Sequence, residues 1–72
     1  MDIQEKIAIL EEIMELEKNV INENSKLNEI EEWNSLAKLS LIALMDEKYG
    51  KQISAQQIKE FVYVKDIIKL MD

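Results

Sequence analysis

Residues Ser35 to Tyr49 are the segment that most constrains this fold. They read SLAKLSLIALMDEKY. Leu36, Leu39, Ile42, Ala43 and Met45 recur at helical spacing as one apolar face, and Leu41 and Leu44 widen it. A helix apolar over so wide an arc must be buried on more than one side, so other helices have to surround it. Asn34 precedes it as a good N-cap, able to accept a hydrogen bond from an early helix N–H. Gly50 follows it and is placed to stop it in a left-handed conformation.

The remaining segments fit around that helix. From about Asp2 to Lys18 the pattern predicts a helix with Ile3, Ile7, Leu10, Ile13 or Met14 and the stem of Glu17 on one face. Glu5, Glu12 and Glu15 fall on its other faces. From about Asn19 to Trp33 the turn formers Asn22, Asn24, Ser25 and Asn28 predict a long connection. Val20, Ile21, Leu27, Ile30 and Trp33 tack it onto the helices, with a short helical turn around Asn28 to Glu31. Ser54 and Gln57 match a capping box and open a short helix over 55–60. Val62-Tyr63-Val64 favours β locally, but with no second strand to pair with it a strand is not expected. A last helix over 65–71 turns Ile67, Ile68 and Met71 inward. The expectation is a single all-α domain over residues 1–72. It is a small four-helix bundle with three main helices, one short helix and a long first loop.

Composition narrows the chemistry. A chain of 72 residues buries a modest fraction of its unfolded surface and should be marginally stable. It has no Cys, so no disulfide staples it. It also has no His and no Arg. A serine nucleophile normally needs a neighbouring base, most often His. Transition-metal sites need imidazole or thiolate, and bidentate phosphate clamps need Arg. The expectation is a protein that is not an enzyme and has no metal site. Neither a leader segment nor a membrane span is read in the sequence, so a cytoplasmic, monomeric protein is expected.

Charge is unevenly placed. Residues 1–34 carry ten acids against three lysines, whereas residues 35–72 carry five acids and six lysines. The acidic half repels nucleic-acid phosphates and anionic membranes, so neither is an expected partner. Its natural partners are proteins with basic patches, although acids on an exposed helix also serve simply as a solvated face.

Ser35 is the residue with the clearest chemical opening. It sits at a helix N-terminus, where backbone N–H groups and the helix dipole favour an anion. Nothing beside it activates its hydroxyl, so a group there has to be delivered by another enzyme. From position alone, Ser35 can equally be part of an ordinary helix cap. Asn34-Ser35-Leu36 follows a polar loop and opens an apolar helix that ends in Asp46-Glu47-Lys48-Tyr49-Gly50. Ile53 begins the next segment, then come a short third helix and a fourth. In this order and spacing the chain resembles acyl carrier proteins over nearly its whole length. The family usually has Asp where this chain has Asn34.

The resemblance implies 4'-phosphopantetheine, placed on Ser35 from coenzyme A by a phosphopantetheinyl transferase, with Asn34 and Leu36 flanking the attachment point. The arm's thiol would hold an acyl or aminoacyl group as a thioester. The protein would then move that group from an acyl- or aminoacyl-loading enzyme to a downstream transferase. Positions matching the family's acyl pocket are Leu39, Ile42, Ala43, Met45, Ile53, Ile58, Phe61 and Ile67, all of which would also serve as ordinary core. Bulky Ile58 and Phe61 point to short or polar cargo. Partner recognition in the family runs through acids on the second helix. Here Ala37, Lys38 and Ser40 stand where those acids are usual, and Asp46 and Glu47 lie only at the far end. Glu29, Glu31 and Glu32 supply acids just before the serine instead. That pattern implies a carrier dedicated to a specialised pathway, such as surface-polysaccharide or secondary-metabolite assembly. The competing expectation is a non-catalytic helical module that binds a basic protein through its acidic first helix.

Overall fold

The structure, a computed structural model, describes residues 2–71. Four α-helices follow one another: α1 (Ile3–Ile13), α2 (Ser35–Tyr49), α3 (Ala55–Glu60) and α4 (Val64–Ile68). A single 3-10 turn at Leu27–Glu29 interrupts the long α1–α2 connection. The all-α expectation is met, with two long and two short helices in place of three long and one short. No helix among the described residues is long and apolar enough to cross a membrane.

Side chains mark where each helix begins. The Asp2 carboxylate accepts the Glu5 N–H at 2.8 Å and starts α1. The Asn34 side chain does the same for α2 by accepting the Ala37 N–H at 3.0 Å. Ser54 and Gln57 form the expected capping box of α3, with N···O distances of 3.2 and 3.0 Å. At α4 one Asp66 carboxylate oxygen accepts the N–H groups of Val62 and Tyr63, both at 2.9 Å. The Tyr63 bond, then the Val62 bond, hold the Asp66 carboxyl below its ordinary value.

The helix ends differ more from expectation. α1 stops at Ile13, well before Lys18. Glu15 adopts φ 58°, and the N–H groups of Leu16 and Glu15 donate back to the Glu11 and Glu12 carbonyls at 2.8 and 3.1 Å. This is the Schellman hydrogen-bond pattern, with glutamate in the position that usually takes glycine. A left-handed conformation costs a non-glycine residue roughly 1–2 kcal/mol, part of which glycine's extra chain entropy would offset. Glu15→Gly is therefore expected to raise stability by about 0.5–1 kcal/mol. The check is a higher urea midpoint at unchanged slope; an unchanged or lower midpoint contradicts it. α2 ends as expected at Gly50, φ 63°, whose N–H reaches the Asp46 carbonyl at 3.2 Å. α4 stops at Ile68, short of the expected Met71. The chain continues through a turn that still buries Met71. Lys51 secures that turn by donating from Nζ to the Leu70 carbonyl at 2.8 Å.

α1 packs against both α2 and α4. The core combines Ile7 and Leu10 of α1 with Met14 just after it, Ala37, Leu41 and Met45 of α2, and Val64, Ile67, Ile68 and Met71 at the C-terminal end, with Ile21 and Leu27 from the connection. The buried stripe of α2 therefore runs i, i+4, i+8 through Ala37. The expected face is corrected: Leu36 is 70% and Leu39 63% exposed, Ala43 faces solvent, and Ile42 is half-buried. Apolar side chains surround this helix, so periodicity alone does not select which stripe meets the neighbours. On α1 the expected Ile3 is exposed, as is Glu17.

The long connection is tied down at both ends. Glu11 is only 3% exposed, and its carboxylate accepts the N–H groups of Val20 and Ile21 at 2.9 and 3.2 Å. Farther on, Leu27 N–H donates to the Val62 carbonyl at 2.9 Å and Val64 N–H to the Ser25 carbonyl at 3.0 Å. These bonds flank an isolated antiparallel bridge between Lys26 and Tyr63. The β-favouring triplet is thus used for one bridge and forms no strand. Ile21 and Leu27 are buried, Ile30 and Trp33 half-buried, and Val20 is exposed.

Candidate functional site

The start of α2 is built from three consecutive devices. A turn closed by the Trp33 N–H on the Ile30 carbonyl, at 3.0 Å, brings the connection up to the helix. Asn34 then adopts extended backbone, φ −105° and ψ −175°, and its carbonyl accepts the Lys38 N–H at 3.0 Å. Ser35 follows as the first helical residue and is exposed. The first N–H groups of a helix have no partner within it, so a group attached to Ser35 lies at the positive end of the α2 dipole. Asn34 keeps its capping role while adding no negative charge there.

Leu36 and Leu39 extend an exposed apolar surface away from Ser35 along α2. Lys38 is half-buried, and its ammonium lies 5.9 Å from the centroid of the Trp33 ring, within the range of a cation–π contact. Glu29, Glu31 and Glu32 are exposed on the approach to the helix. Asp46 and Glu47 are exposed as well. They stand roughly 17–18 Å along the helix axis from Ser35 at about 1.5 Å per residue. The acids grouped in the sequence analysis therefore do not form one surface patch: Glu32 shares a groove with Asn34 and Leu36, whereas Glu29 and Glu31 line another with Leu16 and Ile21.

The anticipated acyl-pocket residues divide by environment. Met45, Ile58 and Ile67 are buried, Ile42, Ile53 and Phe61 half-buried, and Leu39 and Ala43 exposed. Met45 and Ile67 belong to the closed core. Ile58 and Phe61 instead line a groove of about 310 Å³ that Leu27, Ile30 and Trp33 share from the connection, with Lys38 and Lys59 at its edge. A larger groove of about 540 Å³ runs between α1 and α2. Ile9, Ile13, Leu36 and Leu44 line it together with Glu12, Glu15, Glu32 and Lys48. Sequence reasoning identified neither groove. The lysines of the smaller one are far apart in the chain, and their shared position needs the fold. Buried Glu11 was missed too, because one more acid on an acidic helix gives no sign of burial.

This arrangement can present a hydroxyl and nearby apolar surface. The chain has no His, the side chain that most often activates a serine, and no Cys or Arg. The chain matches no known protein family, no curated protein and no solved structure.

Proposed function

We propose that this chain is a carrier protein of the acyl carrier type, modified on Ser35 by 4'-phosphopantetheine. The observation that carries the reading is the exposed Ser35 as first residue of a capped fifteen-residue helix in a four-helix domain. The residues present fit a phosphodiester. The hydroxyl is accessible, the adjoining helix N–H groups are unpaired within the helix, and Lys38 one turn on adds positive charge. When bound, the arm supplies a terminal thiol on which an acyl or aminoacyl group is held as a thioester. Ser35 anchors the arm, Asn34 keeps the helix start in shape, and Leu36 with Leu39 offers apolar surface to the enzymes that meet it.

Attachment forms a bond from Ser35 Oγ to phosphorus as the pyrophosphate bond of coenzyme A breaks and the nucleotide leaves. The proton of the hydroxyl passes to a base of the phosphopantetheinyl transferase, which this chain cannot provide. A loading enzyme and a downstream transferase then act in turn on a cytoplasmic, monomeric carrier. The test is intact-mass spectrometry after incubation with coenzyme A and a broad-specificity transferase. One phosphopantetheinyl adduct per chain is expected, and no adduct under any condition contradicts the reading.

Asn34 sets the rate of that modification. An aspartate at position 34 would retain the cap and add a charge for basic groups of the transferase to meet. Asn34→Asp is therefore expected to load faster than the parent with the same transferase, by up to about fivefold if the added charge is worth up to 1 kcal/mol. Equal rates contradict this role for the residue.

A second reading is favoured by the α1–α2 groove, whose apolar floor is edged by Glu12, Glu15 and Glu32. It is a non-catalytic module that receives a basic protein segment along the acidic first helix. A chain that takes up no adduct yet binds such a segment in that groove supports this reading over the first.

A further inference from the structure

We infer that the groove between α1 and α2 docks a basic amphipathic helix of a partner protein, and that a helix seated there leaves Ser35 uncovered. This rests on the second reading of the groove and makes it compatible with the first. One molecule can then be held by a partner while Ser35 carries its group. Half-buried Ile9, Ile13 and Leu44 and exposed Leu36 give this groove of about 540 Å³ its apolar walls. Glu12, Glu15 and Glu32 line it too, all exposed, against a single lysine, Lys48. No ion pair among the described residues occupies these carboxylates. An apolar trough with an acidic rim is complementary to an occupant that is apolar on one side and cationic at its edges. The same charge repels an anionic membrane.

The walls decide the form of that occupant. They come mainly from two helices, whose backbone N–H and C=O groups are bonded internally along most of their length. An extended peptide would find no sheet edge to pair with. A helix arrives with its own backbone bonds made, and its side-chain ridges can enter the seam between two others. From Leu36 to Lys48 the α2 wall runs about 18 Å at about 1.5 Å per residue, the length of a helix of about 12 residues. Ser35 does not line this wall. At about 100° per residue it stands about 140° round α2 from Ser40 and about 180° from Leu44, both of which do. A docked helix and a group on Ser35 therefore occupy different sides of α2.

The probe is a synthetic peptide of about 14 residues, with leucine every third or fourth residue on one face and arginine and alanine elsewhere. Calorimetric titration is expected to show one site, and methyl resonances of Ile9, Ile13, Leu36 and Leu44 should shift on binding. A Glu12→Gln, Glu15→Gln, Glu32→Gln triple variant with an unchanged urea midpoint should bind about tenfold more weakly, the factor for three exposed ion pairs. No binding, shifts confined to other surfaces, or equal affinity in the triple variant overturns the inference. So does equal affinity for a peptide of the same composition with its leucines scattered round the helix, and so does a second copy of the chain found to fill the groove by sedimentation. The chain has no Cys, so Ser35→Cys supplies a single thiol at the site. Maleimide should label that thiol no more slowly when the peptide is saturating; a slowed reaction means that the docked helix covers position 35 and overturns the inference. The thiol assay needs no arm, so a failed carrier reading, seen by intact mass, is a separate result.

Discussion

Ser35→Ala is expected to take up no phosphopantetheine under conditions that modify every molecule of the parent chain. The loss should be complete, because a single hydroxyl oxygen makes the bond and alanine has none. Folding should be unchanged. The N-cap hydrogen bond belongs to Asn34 and Ala37, not to Ser35. Ser35 is itself exposed, so replacing it should change stability by less than about 0.5 kcal/mol. The readouts are intact mass and the urea midpoint of the same sample. An adduct that persists in Ser35→Ala places the arm on another residue and contradicts the site. A lost adduct with a collapsed midpoint would reflect unfolding, which the Asn34 cap argues against.

Leu41→Ala is expected to lower stability by about 2–5 kcal/mol, the range for a large apolar side chain removed from a packed core. Leu41 is 0% exposed, on the α2 stripe that meets the rest of the core. A domain of this length has a total stability of roughly 4–11 kcal/mol at typical per-residue values, so the substitution removes a large part of it. Leu39→Ala, two residues away, should cost less than about 0.5 kcal/mol because its side chain is largely in water. Urea unfolding of both variants tests the orientation of α2 directly. Similar losses, or a larger loss at Leu39, would mean that the other apolar stripe faces the core.

That contrast shows what was legible in the sequence. The extents of α2 and α3 followed from local chemistry: Asn34 and Ser54 with Gln57 open them, and Gly50 closes the longer one. These signals act within a few residues, so they can be read without the fold. The end of α1 could not be, because Glu15 occupies a left-handed position that ordinarily announces itself with glycine. The buried stripe of α2 was hidden by the apolar residues around it, and tertiary packing against α1 made the choice. The long connection was foreseen, while its anchors were not. Glu11 reaches Val20 and Ile21, and Ser25 and Leu27 meet the segment 62–64, through pairings whose partners only the folded chain brings near.

The candidate site divides in the same way. Ser35 stood out because helix opening, cap and serine are adjacent in the chain. The smaller groove did not, because Trp33, Lys38, Ile58, Lys59 and Phe61 meet only when the connection, α2 and α3 come together.

The most direct test of the carrier assignment is the mass of the protein purified from the cell that makes it, followed by mapping of the modified peptide. The account predicts a Ser35-containing peptide heavier than its unmodified mass by phosphopantetheine, with or without a thioester-bound acyl group, and fragment ions that place the added mass on Ser35. A Ser35 peptide found only at its unmodified mass, or an adduct mapped to another residue, would contradict it.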